Sequence, residues 1–188
     1  MNPLITLRVP ATSANLGSGF DAIGMAVSLY NIFKVMELLP EGEFKIDAQG
    51  EGSRELSEPK ANLVIESYIR TCERWGVRGP GFSLWCHNII PLCRGLGSSA
   101  GAVVAGVLIA KHLTGYNADK EELLRSMTVI EGHPDNVAPC FLGGMVVSCW
   151  DGHDLRYVNL PALPPEVLCV VAVPDEKVRT ADARNALP

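Results

Sequence analysis

The sequence predicts an α+β fold. Most of its strand-like segments come early, three helical patterns occupy the middle, and no Gly/Ser linker or internal repeat divides the chain. The chain has 188 residues, enough for one good core or for one domain and part of another. A hydrophobic share of 47% and a charged share of 20% describe an ordinary globular protein. A net charge of −5 gives a nucleic-acid partner no electrostatic support. The longest apolar run, near 102–110, is too short to span a bilayer, and Met1-Asn2-Pro3-Leu4 does not open a signal peptide. The six cysteines are scattered without a Cys-x-x-Cys pair, which predicts buried or free thiols rather than a disulfide frame or zinc site.

Leu4 to Val9 alternates and ends at Pro10, so it predicts a short strand. Ala11 to Gly24 is rich in Ser, Asn and Gly and predicts a long loop. Val27 to Leu39 predicts one long strand, and Phe44 to Ala48, after the turn Pro40-Glu41-Gly42-Glu43, its hairpin partner. Residues 50–60 form a connection. Asn62 caps a helix running to about Trp75, with Leu63, Ile65, Tyr68, Ile69 and Cys72 inward and Gly76 as its stop. Phe82 to Ile89 is another strand. An almost wholly apolar helix begins near Ser98 or Ser99, either of which could cap it, and ends near Gly115. Asp119 starts an amphipathic helix with Leu123, Leu124, Met127 and Ile130 inward. Strands at 144–149 and 155–158 flank the turn Asp151–Asp154. Pro161, Pro164 and Pro165 mark a boundary, dividing the chain into 1–160 and 161–188, and Leu168 to Val173 predicts a continuous apolar strand. The chain ends on Asn185–Pro188 just after an apparent helix start, so a further C-terminal part is expected.

Four stretches carry chemistry. In Pro91-Leu92-Cys93-Arg94-Gly95-Leu96-Gly97-Ser98-Ser99-Ala100-Gly101, two glycines let the backbone approach a ligand closely. The helix that follows offers unpaired N–H groups and the positive end of its macrodipole, which suits a phosphate chain. The competing reading is a plain glycine turn before a core helix. A P-loop is excluded because no Lys follows Gly97. A dinucleotide fingerprint matches Gly95, Gly97 and Ala100 but lacks its acid at the end of a second strand. Cys93 fits as a small apolar filler. The second stretch, Glu131-Gly132-His133-Pro134-Asp135-Asn136, packs acids, an imidazole and an amide into six residues that Pro134 keeps off one continuous helix. Glu131 with Ser98 or Ser99 would suit Mg²⁺, which takes few protein oxygens; a polar helix end with Asp135 capping the next turn is the plainer alternative. The third, Pro10–Asp21, places Asn15 and Asp21 in one loop, suited to an ammonium and a hydroxyl on a small polar ligand, or to ordinary Asx turns. In the fourth, Val178–Arg184, Arg179 or Arg184 could grip a carboxylate, although a solvated surface is the commoner fate of arginine.

Together, Val9–Asp21, Pro91–Gly101 and Glu131–Pro139 resemble the GHMP small-molecule kinases, and within them the branch that phosphorylates L-homoserine. The resemblance covers essentially the whole chain. It implies a GHMP-kinase N-terminal α+β domain with a left-handed βαβ crossover (ribosomal protein S5 domain 2-like), then the start of a ferredoxin-like C-terminal domain. It also implies transfer of the γ-phosphoryl group of ATP to the side-chain hydroxyl of L-homoserine, a threonine-pathway step, in a cytosolic and commonly dimeric enzyme. By the resemblance, Pro91 to Gly101 wraps the triphosphate, Ser99 and Glu131 hold Mg²⁺, and Asn62 lines the adenine pocket. Asn15, Asp21, Asn136, Thr180 and Arg184 surround the substrate. Asp135 and Asn136 are the catalytic candidates, with Asp135 where related enzymes place an aspartate base. The hydroxyl proton could equally pass to a phosphate oxygen, since a loose transition state leaves a base little to do. Residue 18 is Ser where the family often has Pro, which loosens that loop. A second substrate arginine would lie beyond residue 188. The alternatives are another GHMP small-molecule kinase, acting on a sugar or isoprenoid alcohol, and an inactive nucleotide-binding fragment.

Overall fold

The longest alternating run becomes the spine of the sheet. In the computed structural model, which describes residues 2–173, β2 spans Ile23–Leu39 and touches three other strands. Antiparallel β1 (Ile5–Ala14) lies along one edge of β2 from Gly24 to Val35. The other edge is shared: β4 (Gly81–Asn88) pairs with Ile32–Leu39, and β5 (Met145–Trp150) pairs with Ile23–Met25, both antiparallel. β6 (Leu155–Asn159) closes a hairpin with β5.

β3 (Phe44–Gly50) does not form the expected hairpin with β2. It pairs parallel with β4, which inserts between them, so the sheet order is β3-β4-β2-β5-β6. The parallel pair needs a crossover. That crossover holds α1 (Ser53–Leu56), a 3₁₀ turn at Pro59–Ala61 and α2 (Leu63–Trp75). Phe44, Phe82 and Tyr68 lock the crossover helix onto both strands through edge-to-face contacts with centroids 5.0–6.0 Å apart.

Two further departures have local causes. β1 runs on past Pro10 to Ala14, because the register shifts between Pro10 and Ala11, and a bulge is where a strand tolerates a residue without an N–H. The predicted loop therefore shrinks to 15–22. At the other end, Leu168–Val173 forms no strand: Leu168 and Val170 are 85% and 92% exposed and pair with nothing in the sheet.

Helices cover one face. α3 (Ser98–Thr114), α4 (Lys120–Glu131) and α5 (Pro134–Leu142) join α2 over Val9, Phe33, Val35, Phe82, Leu84 and Val146. Each such aliphatic or aromatic side chain contributes roughly 1.5–3 kcal/mol by leaving water. α3 lies deepest, which its apolar sequence demanded. On α2, Ser67 and Thr71 are buried beside Ile65 and Tyr68, while Ile69, expected inward, is exposed. The opposite sheet face carries Arg8 over Tyr30 and Lys34 over Trp85.

Candidate active site

The strand β4 ends at Asn88, and the chain then crosses to α3 through the glycine loop. Buried Asn31 of β2 holds the entrance of that loop: its Oδ1 accepts from the N–H groups of Ile89 (2.9 Å) and Ile90 (3.0 Å), and its Nδ2 donates to Oδ1 of Asn88. The loop ends at Gly97, which takes φ 63° and is itself the N-cap of α3. Ser98 and Ser99 are thus the first residues of the helix rather than its cap, and no side chain caps that end. Ser99 Oγ instead donates to the Glu131 carboxylate, 3.0 Å from either oxygen.

Gly97 is fixed by space as well as by φ. A Cβ there would stand 1.9 Å from Oγ1 of Thr12. Thr12, fully buried in β1, donates from its N–H to the Leu96 carbonyl (3.1 Å) and from its hydroxyl to Oδ1 of Asn136 (2.8 Å). At Gly95 a Cβ would meet nothing within 4 Å, so this part of the loop faces open space.

Pro134 starts α5 with His133, not Asp135, as its N-cap residue. β2 comes so close to this turn that a Cβ on Gly24 would lie 1.7 Å from the Asp135 carbonyl oxygen. Asp135 is 1% exposed; its Oδ1 accepts from Nδ1 of His133 and from Nδ2 of Asn136 (3.3 Å), while Oδ2 is buried with no partner. Burial pushes the Glu131 carboxyl above the usual carboxylate range; the Ser99 hydrogen bond and His133 oppose that shift, and Asp135 adds to it.

These parts line one cavity of about 650 Å³. Asn15 and Asp21 reach it from the 15–22 loop, Pro91 to Ser99 from the glycine loop, and Glu131, His133, Asp135 and Asn136 from the α4–α5 junction. Ala100 and Gly101 are buried in the first turn of α3 and do not line it. The Asn15 side-chain oxygen accepts from the Asp21 N–H (2.8 Å), which leaves its NH₂ and one carbonyl lone pair for a ligand. Asn62 lines the cavity too, but its amide is already engaged: Oδ1 caps α2 at Val64 (3.0 Å) and Ile65 (3.4 Å), and Nδ2 donates to the Leu56 carbonyl (2.7 Å). Cys93 is exposed at φ 57° rather than packed as a filler. Asn15, Asp21 and Cys93 are the three non-glycine residues at positive φ among the described residues, and all three line this cavity. Such strain collects where a ligand is clamped. The apolar end holds Phe33, Leu63, Val64 and Cys86, whose thiol is pushed up to about 11 by burial and so stays neutral. Thr180 and Arg184, with Arg179, lie outside the described residues. Thr12 and Asn31 escaped the sequence analysis; both sit in strands, where only their burial as polar residues marks them.

The family model for the GHMP kinases N-terminal domain matches residues 62–144, the segment from the α2 cap through the glycine loop and α5. The chain belongs to the GHMP kinases. It is 46% identical over 98% of its length to a homoserine kinase of Carboxydothermus hydrogenoformans, and 39% identical over 98% to one of Clostridium kluyveri. The crystal structure of homoserine kinase from Cytophaga hutchinsonii superposes over the whole chain with a TM-score of 0.77 at 32% identity. This GHMP kinase chain spans 60% of the length of each of those two relatives and 61% of the crystallised one.

Proposed function

We propose that this GHMP kinase chain forms the nucleotide-binding part of an enzyme that transfers the γ-phosphoryl group of ATP to the side-chain hydroxyl of L-homoserine, a step of threonine biosynthesis. The observation that carries the proposal is the single cavity. An uncapped helix start behind a glycine loop opens into the same space as Asn15, Asp21, Glu131 and Asn136. The likeness to homoserine kinases over nearly the whole chain supports the choice of acceptor.

The main-chain N–H groups of the loop and of the first α3 turn bind the triphosphate, and the positive helix end offsets its charge. Open space at Gly95 fits a phosphate there. Adenine takes the apolar end between Leu63 and Cys86, where Asn62 shapes the wall by capping α2 rather than by a free amide. The Ser99 hydroxyl and Glu131 carboxylate, already paired across α3 and α4, are hard oxygen donors of the kind that fit Mg²⁺. Bound there, Mg²⁺ would supply charge neutralisation on the transferring phosphoryl group. Asn15 and Asp21 hold the polar ends of homoserine, Thr180 and Arg184 its carboxylate. Asn136 presents its amide to the acceptor hydroxyl, and Asp135, beside it in the cavity wall, is the candidate base. Residues 1–160 are the proposed ATP-binding domain and 161–188 the beginning of the next. A cytoplasmic homodimer completes the proposal; among the described residues no helix is long and apolar enough to cross a membrane.

The test is ADP release by the full-length protein with Mg²⁺ and a panel of homoserine, galactose and mevalonate. Release that requires homoserine is expected, and faster turnover of either other alcohol overturns the acceptor. Ser99→Ala and Glu131→Gln should each lower transfer by about 100-fold or more. Unchanged turnover in both would sink the metal site.

A further inference from the structure

We infer that Thr12 is a positioning residue, which sets the orientation of the Asn136 amide and ties it to the nucleotide loop; the inference rests on the kinase proposal for its consequence but not for its geometry. An asparagine amide can face either way, and the two ways offer a ligand opposite chemistry. Here both ends are specified. Thr12 has one hydroxyl proton and gives it to Oδ1 of Asn136 at 2.8 Å. Nδ2 then turns toward Oδ1 of Asp135 at 3.3 Å, and both residues line the cavity. The amide therefore presents a donor beside a carboxylate acceptor, the pair of groups that can hold a hydroxyl by its oxygen and its proton.

The same threonine reaches the loop. Its N–H donates to the Leu96 carbonyl, and its Oγ1 fills the space where any side chain at 97 would project. One fully buried residue thus spans β1, the last turn of the glycine loop and the start of α5. Moving the loop by a few tenths of an ångström moves the amide with it. The distance between a bound phosphate and a bound hydroxyl is set through this contact, and rates respond steeply to such distances.

Thr12→Val keeps the shape and removes the hydroxyl; Thr12→Ser keeps the hydroxyl. In the full-length protein, Thr12→Val should lower kcat by tenfold or more while the KM for ATP changes little, and Thr12→Ser should restore most of the kcat. A merely structural role would lower the melting temperature in both variants and leave kcat per folded molecule unchanged, and that result overturns the inference. An NMR measurement separates failure here from failure of the kinase proposal. The Asn136 side-chain NH₂ signals, assigned by their loss in Asn136→Asp, should be well resolved and slow to exchange in the wild type and in Thr12→Ser, but exchange-broadened in Thr12→Val. If those signals do not respond to Thr12→Val, the inference fails whatever the enzyme phosphorylates; if they respond while homoserine is not a substrate, only the acceptor is wrong.

Discussion

Ser99 and Glu131 belong to different helices, yet their side chains meet at the mouth of the glycine loop. Burying the Glu131 carboxylate has a measurable cost, which the Ser99 hydrogen bond only partly offsets. Burial raises the Glu131 carboxyl above its ordinary value, so in the folded state the proton is held more tightly than in the unfolded chain. Well below the ordinary carboxylate pKa both states are protonated and nothing is lost. As pH rises through the ordinary value towards the raised one, the unfolded chain releases its proton first, and stability falls until both are charged. Without metal, Glu131→Gln should therefore melt higher than the wild type at neutral pH, and the difference should vanish by about pH 3. Differential scanning calorimetry with a chelator present reads this directly; equal melting curves at neutral pH would remove the burial argument. The variant expected to be most stable is also expected to be nearly inactive, a trade that functional carboxylates often make.

At the scale of elements, caps decide where the site walls stand. Asn62 ends the connection after β3 and begins α2, and its amide satisfies two helix N–H groups and the Leu56 carbonyl. Asn62→Ala should cost about 1–2 kcal/mol in chemical denaturation. Nucleotide affinity should fall only as far as the shifted wall requires, a few-fold in titration calorimetry at a temperature where the variant is folded. This helix was legible in the sequence from end to end, because an Asn cap, an apolar stripe and a terminal glycine all agree. α4 was legible for the same reason, with Asp119 as its cap. The glycine loop and the Glu131–Asn136 cluster could be read from residue type, and they do share a cavity. What could not be read is what depends on distant partners. Nothing local distinguishes a β2–β3 hairpin from a parallel β3–β4 pair, since the turn at Pro40–Glu43 permits either and the choice is made by β4 some forty residues on. α5 is harder to read from the sequence because Pro134 ends one helix, yet it is also the favoured first residue of a new one. Thr12 looked like one more polar residue of a loop; its role appears only when Pro10 is seen to be bulged within a strand.

For the molecule as a whole, the site is a junction. Each wall comes from a different part of the sheet or helix layer, and none is complete without the others. A ligand that bridges them should stabilise the whole domain. With a non-hydrolysable ATP analogue and Mg²⁺ at about 100 times the dissociation constant, the gain expected is roughly 2.7 kcal/mol. Hydrogen exchange should slow most from 91 to 101 and around 131–136, while β6 stays unchanged. Protection confined to one wall would mean that the cavity does not act as one site.

The arrangement of β2 reaches into biosynthesis. β1 and β2 leave the ribosome before the other strands they share a sheet with and can pair at once, but the opposite edge of β2 receives β4 only after residue 88 and β5 only after residue 150 have been made. At ordinary translation speed, the start of β2 stays uncovered for on the order of ten seconds. During that interval a long strand offers an unpaired rim to any other nascent chain, so soluble yield should depend on growth temperature and on holding chaperones more than the stability of the finished fold would suggest.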